Sequence, residues 1–319
     1  MLKKILLLAI WLVCWQATSA QQSKLDFARQ LLSYDQKLPL DVKDVASFER
    51  GGVNVQDITF ASPKGGRVSA YLVVPTASKS KHAGVVFGHW GNGNRTEFLP
   101  EALLLAEAGV VSVLIDYPWE RTAPWWQGMP PLAEPEKRME CYVQALTDLR
   151  RAIDLLLARS DVDSKRIGYV GHSFGAQWGA ILAAVDKRMK AAVLMAGVPT
   201  AAALWLESTG DASWVAFRKT IRPQIEKFVE VFAKLDAIDF VSSAAPVSLL
   251  FQFARQERIM TETDMQKYFQ TASQPKAVKW YDAGHELQDF QAMIDRADWL
   301  QKQLGIRSVT KIMKRNFKI

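Results

Sequence analysis

Two hydrophobic periods take turns along this chain. Short, nearly continuous apolar runs at Ala83–Phe87, Val110–Ile115, Ala191–Ala196 and Val247–Phe251 have the length of strands buried on both faces. Between them lie segments whose apolar residues recur at helical spacing: Thr96–Ala108, ended by Gly109; Glu134–Arg159; Thr261–Thr271; and Glu286–Leu304. In the longest of these, Met139, Val143, Leu146, Leu149, Ile153 and Leu156 fall on one stripe and predict a core-facing helix. Upstream, Val53–Ala61 and Arg67–Val74 alternate around Pro63-Lys64-Gly65-Gly66, the signature of a hairpin. Arg166–Val170 and Ala277–Tyr281 complete eight strands. Strands alternating with helices predict an α/β domain over residues 53–304, an eight-stranded, mostly parallel sheet covered by helices on both faces.

Three stretches stand outside that alternation. Residues 21–52 read as a polar arm with one or two helical turns (Leu25, Phe27, Leu31, Leu32), broken by Gly51-Gly52. Some fifty residues separate two of the strands, more than one crossover helix requires. They carry Trp205, Trp214, Phe217, Phe228 and Phe232, so a helical cap insertion is expected at about 200–243. Residues 305–319 form a basic tail.

The N-terminus changes the picture of where the protein works. Lys3 and Lys4 precede an apolar run from Ile5 to Trp15, and Ala17, Thr18, Ser19 and Ala20 follow. That is the layout of a secretory signal peptide over residues 1–20, cut near Ala20, and it predicts an exported protein, periplasmic or secreted. Cleavage removes Cys14 and leaves Cys141 alone, so no intrachain disulfide can form. The formal charge of +7 loses Lys3 and Lys4. The tail holds Arg307, Lys311, Lys314, Arg315 and Lys318 without an acid, which leaves the body near neutral. A neutral body argues against a nucleic-acid partner.

Candidate chemistry centres on Gly171-His172-Ser173-Phe174-Gly175, between a strand and a small-residue helical run, Ala176–Leu182. Strand, sharp turn and helix in that order are what a nucleophile elbow needs, with the Ser173 hydroxyl exposed on a strained turn. A serine hydroxyl needs an adjacent base, and the base an orienting acid. His285 follows the last strand in Asp282-Ala283-Gly284-His285, at the sheet edge the elbow occupies; His172 flanks the nucleophile, pointing away from the hydroxyl. For the acid, Glu257 follows the strand Val247–Phe251, with a surface pairing to Arg255 or Arg258 as its rival role and Glu207 in reserve. The tetrahedral intermediate needs backbone N–H donors. Phe174 would supply one, and the Gly-rich turn Gly88–Gly93, through Trp90 or Gly91, the other. That turn lacks the Gly-Lys-Ser/Thr ending of a phosphate loop.

Nucleophile elbow, acid and histidine in this order, with a Gly-rich oxyanion turn earlier in the chain, resemble the α/β-hydrolase superfamily. Within it the chain looks like the dienelactone hydrolase, acetyl xylan esterase and prolyl oligopeptidase-like group, from about Val53 to Leu304. The resemblance implies the α/β-hydrolase fold, Ser173 as nucleophile, Glu257 as acid, His285 as base, and an oxyanion hole built from the amides of Phe174 and Trp90 or Gly91. It departs from that group in two places: His89 is followed by Trp90 rather than glycine, and the acid is Glu257 rather than aspartate.

The expected function is an exported serine hydrolase that cleaves small-molecule carboxylic esters, with no cofactor and no metal. The alternatives are a peptidase or amidase of the same fold, or a non-catalytic binding protein on that scaffold. The cleft is expected to be walled by Trp119, Trp125 and Trp126, from the Pro- and Trp-rich loop 118–131, together with Trp205 and Trp214 of the cap. In the tail, Val309, Ile312, Met313 and Phe317 share one side of a helix and the basic residues mostly the other. The expectation is a frayed, solvated end, with weak contact to an anionic surface as the alternative.

Overall fold

The computed structural model describes residues 21–75, 80–207 and 212–317, so the leader expected at residues 1–20 lies outside the described residues. After a first helix, α1 (residues 21–31), the chain lays down β1 (Lys43–Arg50), β2 (Val53–Ala61), β3 (Arg67–Val74), β4 (His82–Gly88), α2 (Leu99–Glu107), β5 (Val110–Ile115), α3 (Pro135–Leu157), β6 (Val162–His172), α4 (Phe174–Val185) and β7 (Ala191–Met195). A π-helical turn (Ala203–Glu207) then leads into α5 (Ala212–Thr220), α6 (Arg222–Phe232) and α7 (Ile238–Val241). The chain closes with β8 (Ser248–Ala254), α8 (Glu262–Thr271), β9 (Lys276–Tyr281), α9 (Phe290–Leu304) and α10 (Val309–Phe317).

The strands form one sheet in the order β1-β2-β3-β5-β4-β6-β7-β8-β9. The first three and β5 pair antiparallel, and every pairing from β5 through β4 to β9 is parallel. All residues of β4, β5, β7 and β8 are buried, as strands covered on both faces must be. One face carries α1, α3, α4 and α8 with the cap helices α6 and α7; the other carries α2, α9 and α10. The stripe on α3 is core: Val143, Leu146, Leu149, Ile153 and Leu156 are buried and Met139 packs against them. Cys141 is also buried, which pushes its thiol up to about 11.

The sheet has nine strands, not eight. The extra one, β1, falls in the stretch read as a helical arm, and Gly51-Gly52 is its hairpin turn into β2, with φ of 60° and 77°. All eight residues of β1 are exposed. A strand with neither face buried has no reason to alternate apolar and polar residues, so it left no period to read. Its charged residues keep an open sheet edge from templating another chain. The helical part of the arm does form, with Leu25 of α1 and Leu32 just after it buried in the core.

The tail is ordered as α10. Gly305 caps α9 in the left-handed conformation (φ 64°) and turns the chain so that Val309, Ile312 and Met313 are buried against α9 and α2. Arg315 pairs with Glu107, and Arg307 donates to the Glu107 carbonyl. The expectation of a frayed end is corrected by this docking. Three residues of the apolar stripe, Val309, Ile312 and Met313, are covered by the chain's own helices. The side chain of Phe317 and all of Lys318 lie outside the described residues. Among the described residues, no helix is long and apolar enough to cross a membrane.

Candidate active site

The elbow sits where β6 meets α4. Ser173 has φ 52° and ψ −110°, a backbone conformation that costs energy in any residue but glycine and that lifts the side chain out of the turn. The flanking glycines are required by contact distance. A Cβ on Gly171 would lie 2.3 Å from the Gly175 carbonyl oxygen, and one on Gly175 would lie 2.1 Å from the Gly88 oxygen. The Ser173 N–H donates to the Met195 carbonyl at 2.8 Å, which fastens the elbow to the end of β7.

His285 and Glu257 arrive from loops 112 and 84 residues further along the chain and meet the serine in one line. His285 Nε2 is 2.9 Å from Ser173 Oγ, and its Nδ1 is 2.8 Å from Glu257 Oε2. The Glu257 side chain is 1% exposed, and its other oxygen accepts the N–H groups of Arg258 and Ile259, both at 2.8 Å. Burial alone would raise this carboxyl. The hydrogen bond from His285 and its charge, with the two amides, outweigh burial and hold it below the ordinary carboxylate value. Glu257 is thus tied to His285 and to backbone amides rather than to the guanidinium of Arg255 or Arg258. The backbone of Glu207 ends the π-helical turn of the cap, and Asp264 closes the capping box of α8 with Thr261.

Of the two turn amides expected to serve an oxyanion, the Trp90 N–H is already given to Glu97 Oε2 at 2.9 Å. The N–H groups of Gly91 and of Phe174, the first residue of α4, have no acceptor among the described residues. The Gly91 backbone sits against the Phe174 ring, so turn and elbow are in contact. Beneath them His89 is buried as a neutral ring, its basicity pushed down by burial to about 3, and Tyr117 donates its amide to His89 Nε2 at 3.2 Å.

The tryptophan wall divides. Trp205 and Trp214 line the cleft above Ser173, their rings 5.6 Å apart. Trp119 does not: it is 6% exposed, packed among Tyr117, Tyr142 and Trp178, and its Nε1–H donates to the Gly91 carbonyl at 2.7 Å. Trp125 and Trp126 do not line it either. Thr122 is bonded to Ser69 of β3 at 3.0 Å, which carries the loop back over the β2–β3 turn, where the Trp125 ring covers Gly66. Trp119→Ala is therefore expected to act on stability, with a loss of about 3–5 kcal/mol read by chemical denaturation.

The cleft, a cavity of about 1290 Å³, exceeds the ~300–1,000 Å³ of common small-molecule sites. One arm runs under the cap past Phe174, Met129, Leu204, Trp205 and Trp214, with the Arg138 guanidinium over the rings of Tyr142 and Phe228. The other runs between the starts of α2 and α9, past Pro100, Leu287, Phe290 and Met293. The residues of this second arm carried no sequence signal, because the two helices that bring them together are nearly two hundred residues apart. Among the described residues there is no cluster of side chains able to hold a metal ion.

Residues 148–230 match the family model described as BAAT / Acyl-CoA thioester hydrolase C terminal. No curated protein sequence matches the chain. Solved structures do. An acetyl xylan esterase from Paenibacillus sp. R4 superposes with a TM-score of 0.72 at 22% identity, over 88% of this chain and 93% of that one. Acetyl xylan esterase 1 from Thermoanaerobacterium sp. JW/SL YS485 gives 0.70 at 17%, over the same shares. A cold-adapted esterase from an Arctic intertidal metagenomic library gives 0.58 at 19%, over 82% of this chain and 99% of that one. Likeness over such lengths at such low identity is likeness of fold: the chain has the α/β-hydrolase fold, with the elbow at its expected place between strand and helix.

Proposed function

We propose that the protein is an exported serine hydrolase that cleaves carboxylic esters through Ser173, His285 and Glu257. The observation that carries this reading is the unbroken hydrogen-bonded line from Glu257 through His285 to a serine held on a strained turn. His285 Nε2 takes the proton of the Ser173 hydroxyl as Oγ attacks the ester carbonyl. The oxygen that becomes negative is met by the N–H groups of Gly91 and Phe174, the latter at the positive end of α4. As the intermediate collapses, His285 returns the proton to the leaving alcohol, and the acyl group stays on Ser173. Water then enters, gives a proton to His285 and attacks the acyl-enzyme. The acid is released and the serine restored. Glu257 holds Nδ1–H of His285 throughout, which keeps Nε2 free to accept. Export rests on the Lys3-Lys4, apolar and small-residue order of residues 1–20.

Labelling with a fluorophosphonate and a screen of p-nitrophenyl esters of increasing acyl length test the reading together. Covalent labelling with turnover of short esters is the expected result; a folded protein that does neither overturns it. In the cap arm, Trp205→Ala and Trp214→Ala are expected to raise KM for the preferred acyl chain and shift the preferred length. An unchanged acyl profile in both variants would remove the cap from the substrate site.

A further inference from the structure

His172 and Glu97 form a second acid–histidine pair, and the mechanism above uses neither. The side chain of His172 is 6% exposed. Its Nδ1 is 2.6 Å from Glu97 Oε1, and its Nε2 is 3.0 Å from the backbone carbonyl oxygen of His285. The other oxygen of Glu97 accepts the Trp90 N–H at 2.9 Å. These contacts fix the proton count. A carbonyl oxygen only accepts, so Nε2 carries a hydrogen. A second hydrogen must lie between Nδ1 and Oε1, because two bare lone pairs at 2.6 Å repel. Because a carboxylic acid gives up its proton more readily than an imidazolium, the shared hydrogen is assigned to the ring and the pair to carboxylate and imidazolium.

We infer that the His172–Glu97 ion pair is a clamp joining two separate loops of the site, the one that presents the base and the oxyanion turn. Its cationic end holds the loop that presents the base, through the carbonyl of His285 itself. Its anionic end holds the oxyanion turn, through the Trp90 amide. By occupying Trp90, it leaves the next amide, that of Gly91, for the substrate oxygen. It thereby fixes the choice between two neighbouring donors that the turn sequence leaves open. Both residues line the cleft wall, yet the hydrogen-bond partners of the His285 ring are Ser173 and Glu257, so His172 and Glu97 are positioning residues. The role rests on the serine-hydrolase reading; the protonation state does not.

Two measurements test the clamp. In the wild-type protein, nitrogen-15 NMR of labelled histidine rings at pH 7.5 is expected to show both nitrogens of His172 protonated. A neutral His172 ring overturns the proposal whatever the enzyme's activity. In kinetics, His172→Ala and Glu97→Gln are each expected to lower kcat by about 10–10²-fold, the scale of a misplacement near 1 Å, with KM and melting temperature little changed. His172→Gln, which can still donate to the His285 carbonyl, is expected to recover part of the loss. The double variant His172→Ala/Glu97→Gln is expected to cost no more than either single one. Additive losses, or a fall in kcat that tracks a fall in melting temperature, would show two independent structural residues and no clamp. Absence of esterase activity in the wild type would fail the serine-hydrolase reading instead and leave the NMR result standing.

Discussion

Ser173→Ala is expected to abolish ester turnover and fluorophosphonate labelling together while the protein keeps its fold. The alanine fits the same space and removes only the oxygen bonded to His285. The strained backbone at φ 52° is imposed by the Gly171 and Gly175 contacts and by the Ser173 N–H bond to Met195. The turn therefore persists without the hydroxyl. A fall in kcat of about 10⁴–10⁶-fold is anticipated, since removing the nucleophile of a serine triad leaves only what the oxyanion donors and binding contribute. Steady-state kinetics with mass spectrometry of the labelled protein decide it. A variant that still turns over esters or takes up the label at another residue would move the chemistry elsewhere.

Glu257→Gln is expected to lower kcat by about 10⁴-fold, out of proportion to the exchange of one oxygen for an NH₂ group. The reason lies in the two backbone amides of Arg258 and Ile259, which both point at Oε1. They force the side-chain oxygen of the glutamine to their side and so turn its NH₂ group toward His285 Nδ1. That nitrogen must then accept, which leaves the hydrogen on Nε2, where it faces the serine and cannot take its proton. A drop below about tenfold would remove Glu257 from the acid's role; an equal drop in Glu207→Gln would return the reserve candidate. Stability gives a second handle. The folded carboxyl of Glu257 lies below its unfolded value, so what its ionisation contributes is fully present above the unfolded value. That contribution disappears as pH falls through the folded value. The gap in melting temperature between wild type and Glu257→Gln is expected to close over that acid range.

What could be read from the sequence was whatever the chain settles locally. The elbow is set by five consecutive residues and the strand and helix beside them. His285 was legible because a loop after the last strand emerges at the same sheet edge. Glu257 followed from chain order and from its place just after the strand Val247–Phe251, while the two amides that hold it come from its immediate successors. Contacts across the chain were not legible. Ser69 and Thr122, 53 residues apart, are tied by two hydrogen bonds that hold the Pro- and Trp-rich loop over the β2–β3 turn, where Trp125 meets Gly66. The residues of the clamp, 75 apart in sequence, have no spacing to betray them. In the tail, the apolar period was visible but its target was not, since nothing in residues 305–319 says that α2 waits for them.

That last contact has a consequence for how the protein is made. Helix α2 leaves the ribosome some two hundred residues before α10, and part of its apolar surface is covered only when Val309, Ile312 and Met313 arrive. Throughout synthesis, and throughout threading across a membrane if the leader directs it there, that patch stays open to chaperones and to other nascent chains. Val309, Ile312 and Met313 thus act as a late-arriving cover, and a chain truncated before them would leave that face of α2 bare.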